Sequence, residues 1–137
     1  MYDLIREFQA QRIKCAQIYQ MTKPGSARPM NEDSQYLLVL TTCPGSITAK
    51  QIAQDLVANG HAACVNIFPG VHSYFKWGNK VDFKDEYLLV IKTTRKRYSN
   101  VEKTILSLHP YELPEIIAVP ISNGLEGYLN WIDQVTN

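Results

Sequence analysis

The sequence predicts a single domain of the α/β (α+β) class over residues 34–137, and three observations predict it. Strand-like and helix-like runs follow one another in the order β-α-β-β-α-β-α. Two of the β-rich runs have Gly78-Asn79-Lys80 as the turn between them, so they read as one long hairpin. Glycine and proline mark the ends of the early runs, at Pro44-Gly45 and Asn59-Gly60, and Pro110 ends the second helical run.

The first strand is Tyr36 to Thr42, apolar and β-branched on both faces as a central strand should be, and Cys43-Pro44-Gly45-Ser46 stops it. Between Ile47 and Asn59 the apolar residues Ala49, Ile52, Ala53, Leu56 and Val57 recur at three and four, and Asn59-Gly60 supplies a left-handed stop. The hairpin follows, with arms Ala62 to Trp77 and Glu86 to Thr94. Pro69-Gly70 in its first arm predicts a bulge or a bend, because proline cannot donate to the ladder and glycine relaxes the backbone.

The second helix starts where Ser99 and Glu102 have the spacing of a capping box, carries the stripe Val101, Ile105 and Leu108, and ends before Pro110. Leu113 to Ile121 is a last strand whose prolines, Pro114 and Pro120, suit a sheet edge. Ser122-Asn123 then opens a terminal helix with the stripe Leu125, Tyr128, Leu129, Ile132 and Val135. This order is a split βαβ repeat, the ferredoxin-like βαββαβ sandwich, with a long central β-hairpin and an extra C-terminal helix.

Each hairpin arm approaches a dozen residues or more, roughly 40 to 50 Å, which is longer than two helices can cover. Phe75, Trp77 and the run Tyr87 to Ile91 would place apolar groups on both faces of it. Symmetric copies of the same chain are the simplest cover, so the hairpin predicts a homo-oligomer.

Composition limits the function classes. The 137 residues are 45% hydrophobic, enough for a sizeable core, and 14 basic against 13 acidic residues leave a net charge of +1 with no long block of either sign. Nothing in that balance points to nucleic acid or to an anionic membrane. No apolar run approaches the roughly 18 residues of a spanning helix, and residues 1–30 lack a secretory core. The cysteines, Cys15, Cys43 and Cys64, are widely spaced with no CxxC pair, which fits a reducing compartment, the cytosol. Residues 1–33 form an N-terminal extension, with a short stripe of Leu4, Ile5 and Phe8 and a flexible linker over 23–29. Asp3 and Glu7 argue against a transit peptide there.

Six ordered stretches resemble the CutA family of divalent-cation tolerance proteins over about residues 36–133. They are Val39-Leu40-Thr41-Thr42-Cys43-Pro44; Ala62 to Ile67 with Pro69-Gly70-Val71; Tyr74 to Trp77 with Gly78 and Lys80; Ile91-Lys92-Thr93; His109-Pro110-Tyr111-Glu112 with Pro114-Glu115-Ile116; and Tyr128-Leu129-Asn130-Trp131. The resemblance implies a ferredoxin-like protomer in a tight homotrimer, related in architecture to PII signalling proteins, and a role in tolerance to divalent metals. It implies copper binding in some members and no enzymatic reaction. Residues 1–33 lie outside it.

The metal candidates are Cys43 and His109. The copper-binding pattern of the family has a cysteine at the position of Thr41 and two histidines before the Pro-Tyr, where this chain has Leu108-His109. Cys43 lies two residues beyond Thr41 and shares its side of a strand, and a thiol with an imidazole suits copper. The plainer reading makes His109 a helix cap and Cys43 a small core residue. Cys64 is expected in the core, and His61 and His72 at the surface or in packing roles. A second set, Trp77, Lys92, Tyr111, Glu112, Glu115 and Trp131, would form either a pocket where subunits meet or ordinary interface anchors. No catalytic motif with supporting context is present. The resemblance thus implies a homotrimeric divalent-cation (copper) tolerance protein with weak binding of copper or another divalent metal, no enzymatic reaction and no required cofactor. The alternative is a PII-like trimeric scaffold or sensor for a small molecule or protein partner.

Overall fold

The computed structural model describes residues 34–137, so the extension over 1–33 lies outside the described residues. Four strands and three helices follow in the order β1 (Tyr36–Cys43), α1 (Ser46–Ala58), β2 (Cys64–Trp77), β3 (Lys80–Thr94), α2 (Tyr98–Leu108), β4 (Ile117–Pro120) and α3 (Glu126–Thr136). The sheet order is β2-β3-β1-β4, antiparallel throughout, which is the ferredoxin-like arrangement that the element order predicts.

The core lies between one sheet face and the helices α1 and α2. Along β1 burial alternates strictly, with Leu37, Val39, Thr41 and Cys43 inward, and Leu89, Ile91 and Thr93 share that face on β3. Ile52 and Leu56 of α1 and Val101 and Ile105 of α2 close over them, all fully buried. α1 ends as Asn59-Gly60 predicts. Gly60 has φ +67°, its N–H reaches the Val57 carbonyl at 3.1 Å, and the His61 N–H reaches the Leu56 carbonyl at 2.9 Å.

β3 is longer than the sequence reading made it. It begins at Lys80, not Glu86, so Trp77 pairs with Lys80 and the turn shrinks to Gly78-Asn79, with Gly78 at φ +59°. Only Tyr87 to Thr94 pair with β1, which leaves Lys80 to Glu86 paired with β2 alone. The bulge expected at Pro69-Gly70 falls between the pairs Phe68–Leu88 and Val71–Glu86, where the four-stranded sheet narrows to a two-stranded ribbon. A bulge increases local twist, so it turns the ribbon away from the sheet plane at that point.

Three further boundaries differ from expectation. No capping box forms at Ser99 and Glu102, because a 3-10 turn over Arg95–Arg97 starts α2 earlier and the Glu102 carboxylate accepts from the Tyr98 hydroxyl at 2.7 Å instead. β4 is confined to Ile117–Pro120, since its partner β1 offers a ladder only from Leu37 to Leu40. In α3, which starts after Leu125 with no side-chain cap, Ile132 alone of the predicted stripe is fully buried.

α3 lies against the sheet face opposite α1 and α2. Its Asp133 accepts from the Tyr36 hydroxyl at 2.7 Å, and its Tyr128 reaches Cys64. The remainder of that face carries rows of apolar side chains across the strands: Ile117, Leu40 and Val90 in one, Leu88 and Phe68 in the next. Phe68 is 50% and Ile117 49% exposed in the single chain.

At Gly60 a Cβ would both take the left-handed conformation and meet the Val135 carbonyl at 3.3 Å. Gly60→Ala is therefore expected to lower unfolding free energy by about 1–2 kcal/mol in urea denaturation. An unchanged midpoint would show that the α1 stop does not depend on this glycine.

Candidate functional site

Cys43, His109, Tyr111 and Glu115 gather where β1 ends. β4 pairs with β1 only as far as Leu40, so the β1 backbone beyond that point needs other partners on the β4 side. His109, the residue after α2, supplies one: its Nε2 lies 2.7 Å from the Thr42 carbonyl oxygen. Its Nδ1 accepts from the Tyr111 backbone N–H at 3.0 Å. An acceptor at Nδ1 and a carbonyl at Nε2 define the neutral tautomer with its proton on Nε2. The ring is 8% exposed, so these two hydrogen bonds make His109 a latch between β1 and the loop that follows α2.

The loop beyond the latch places Tyr111 against the ribbon. Its hydroxyl donates to Glu86 Oε2 at 3.2 Å, its ring packs 4.8 Å from that of His109, and Lys84 Nζ sits 4.6 Å from the ring centroid. Burial, then the Glu86 charge, push the Tyr111 hydroxyl up to about 12, so it stays a hydrogen-bond donor at neutral pH. Glu115, further along the loop, accepts from the Thr42 hydroxyl at 3.3 Å.

Cys43 is fully buried next to this group. Burial pushes its thiol up, with the Glu86 charge adding to the effect, and the Sγ lies 3.8 Å from the Gly45 carbonyl that it donates to. As folded, then, Cys43 is a buried neutral thiol and both nitrogens of His109 are engaged. Among the described residues there is no group of three or more His, Cys, Asp or Glu side chains placed to hold a metal ion.

The second predicted set divides. Trp77, Tyr111 and Glu115 line one cleft, together with Lys84 and Glu86. Lys92 and Trp131 belong to another cluster on the sheet face under α3. There Lys92 Nζ lies 3.9 Å from Cys64 Sγ, and the Trp131 and Tyr128 rings are 5.5 Å apart. Cys64 is thus half-buried outside the main core, a correction to its expected place, because its pairing with Lys92 sets it on the α3 side. Glu112 has a buried Oε2 with no hydrogen-bond partner. His72 is exposed and lies 2.5 Å from Asp85 across the ribbon.

Lys84 and Glu86 were absent from the residues that the sequence pointed to. A signal for them was present: Lys80-Val81-Asp82-Phe83-Lys84-Asp85 alternates polar and apolar with the period of a strand.

Comparison with known proteins agrees with the fold. Residues 37–135 match the family described as CutA1 divalent ion tolerance protein. The divalent-cation tolerance protein CutA of Thermus thermophilus is 41% identical over 99 residues, covering 72% of this chain and 96% of that protein. The crystal structure of CutA from Xylella fastidiosa superposes with a TM-score of 0.74 at 38% identity, covering 76% of this chain and all of that one. The structure of the periplasmic divalent cation tolerance protein CutA from Archaeoglobus fulgidus gives 0.72 at 34% identity, covering 74% and 99%. No helix among the described residues is long and apolar enough to cross a membrane. With a family match spanning most of its length and a superposable fold, this chain belongs to the CutA1 family of divalent ion tolerance proteins.

Proposed function

We propose that the chain acts as a homotrimer in tolerance to divalent cations, with copper as the ion and without a catalytic step. The observation that carries the assembly is the open sheet face. Phe68, Leu88, Val90, Leu40 and Ile117 form an apolar surface that α3 leaves uncovered, beside a β2 edge of 14 residues with no strand neighbour. An apolar face next to an unpaired edge is stable in water when a second copy covers it. Family membership supports the link to cation tolerance.

Copper binding is weak in this reading. An ion gains Cys43 and His109 only by displacing the hydrogen bonds to Thr42 and Tyr111 and by deprotonating a buried thiol. The free thiols Cys43 and Cys64 support a reducing compartment, and the reading places the protein in the cytosol.

Solution mass tests the assembly. Light scattering is expected to give about three times the 15.6 kDa of one chain. Phe68→Lys with Ile117→Lys is expected to return the mass to that of one chain with the helix and strand content kept, since both side chains are half-exposed before assembly. A wild-type monomer would overturn the trimer.

Copper titration tests the ligands, with expected losses of about tenfold or more in Cys43→Ala and His109→Ala. Nitrogen NMR of the metal-free protein is expected to show the Nε2-protonated tautomer at His109, replaced as copper is added. Unchanged affinity in both variants, or a tautomer that copper leaves untouched, would remove Cys43 and His109 from the ion's path.

A further inference from the structure

A cleft of about 480 Å³ opens where the ribbon stands over the loop from Tyr111 to Glu115. That volume suits one small organic molecule. Phe75, Trp77 and Tyr111 give it flat apolar walls, and Asp82, Lys84, Glu86 and Glu115 bring charges of both signs. Among the described residues the single ion pair is His72 with Asp85, outside the cleft lining, so these four charges do not neutralise one another by direct contact.

Glu86 defines the chemistry. It is 6% exposed and the Tyr111 hydroxyl donates to it, yet no Lys, Arg or His nitrogen among the described residues lies within 4.0 Å of its oxygens. A carboxylate taken out of water and met by a neutral hydroxyl has no counter-charge to offset its desolvation. A ligand ammonium would supply it. Lys84, held over the Tyr111 ring, offers the opposite charge on the same wall.

We propose that this cleft binds an aromatic α-amino acid, with its ammonium at Glu86, its carboxylate toward Lys84, and its ring against Phe75 and Trp77. A zwitterion matches the unpaired charges of both signs, and an aromatic body matches the flat walls. The site uses neither Cys43 nor His109 and stands apart from copper binding.

The test is calorimetric titration of the assembled protein with three probes: L-tryptophan, tryptamine, which lacks the carboxylate, and indole-3-propionate, which lacks the ammonium. L-tryptophan is expected to bind, with each truncated probe weaker by about tenfold or more. Glu86→Gln is expected to weaken L-tryptophan and tryptamine to that extent and to leave indole-3-propionate unchanged. Lys84→Met, at a half-buried ribbon position, gives the reciprocal pattern and serves if Glu86→Gln fails to fold. Absence of L-tryptophan binding at millimolar concentration, equal affinities for the three probes, or losses in the variants that ignore probe charge would each overturn the proposal.

Discussion

The fifteen-residue strand β3 is the constraint around which the protein is arranged. Over Tyr87 to Thr94 it has a neighbour on each side, β1 and β2, and its ladder is complete. Over Lys80 to Glu86 it keeps β2 alone. Backbone groups on the missing side must find water, a loop or another chain. The inner half therefore builds the core with α1 and α2. The outer half creates both the cleft under the ribbon and an unpaired edge.

The junction between those halves explains the local chemistry. β1 stops at Cys43, β4 has already stopped opposite Leu40, and the bulge at Pro69-Gly70 turns the ribbon at the same level. His109 seals the end of β1 through the Thr42 carbonyl and holds Tyr111 by its backbone N–H. A histidine suits this role because one neutral ring both donates and accepts at fixed separation. Lysine could only donate there, and a carboxylate could only accept. The latch also fixes where Tyr111 stands, and through it the donor that reaches Glu86.

Features set by a few neighbouring residues were legible in the sequence. Asn59-Gly60 stops α1 because a left-handed residue closes the last two carbonyls, and Pro69-Gly70 bulges because proline has no N–H to give. Features decided by distant partners were not. Ser99 and Glu102 have capping-box spacing, but the turn at Arg95–Arg97 is tied to the residue before β1 by the Arg95 N–H and the Gln35 carbonyl, which fixes where α2 begins. The stripe of α3 reads as a core face, yet Tyr128, Trp131 and Val135 stay about 40% exposed because the helix meets only one end of the sheet. The pocket set divides for the same reason: Trp77, Tyr111 and Glu115 line a cleft at a fold junction, whereas Lys92 approaches Cys64 and Trp131 packs on Tyr128 elsewhere.

The two faces of the ribbon carry different chemistry, and this bears on how the molecule can use it. Tyr74 and Phe83 stack at 5.6 Å on the outer face, with Val81 beside them, and all three are more than half exposed. Ser73, Phe75, Lys84 and Glu86 occupy the face toward the loop. Because strand side chains alternate, a one-residue slip between β2 and β3 would exchange these faces and turn Glu86 away from Tyr111. The short turn at Gly78-Asn79 and the bulge at Pro69-Gly70 pin the register at both ends of the ribbon. The same two devices that shape the hairpin for assembly therefore hold the charged face of the cleft in place. A change at either would be felt in the oligomer and in the cleft together.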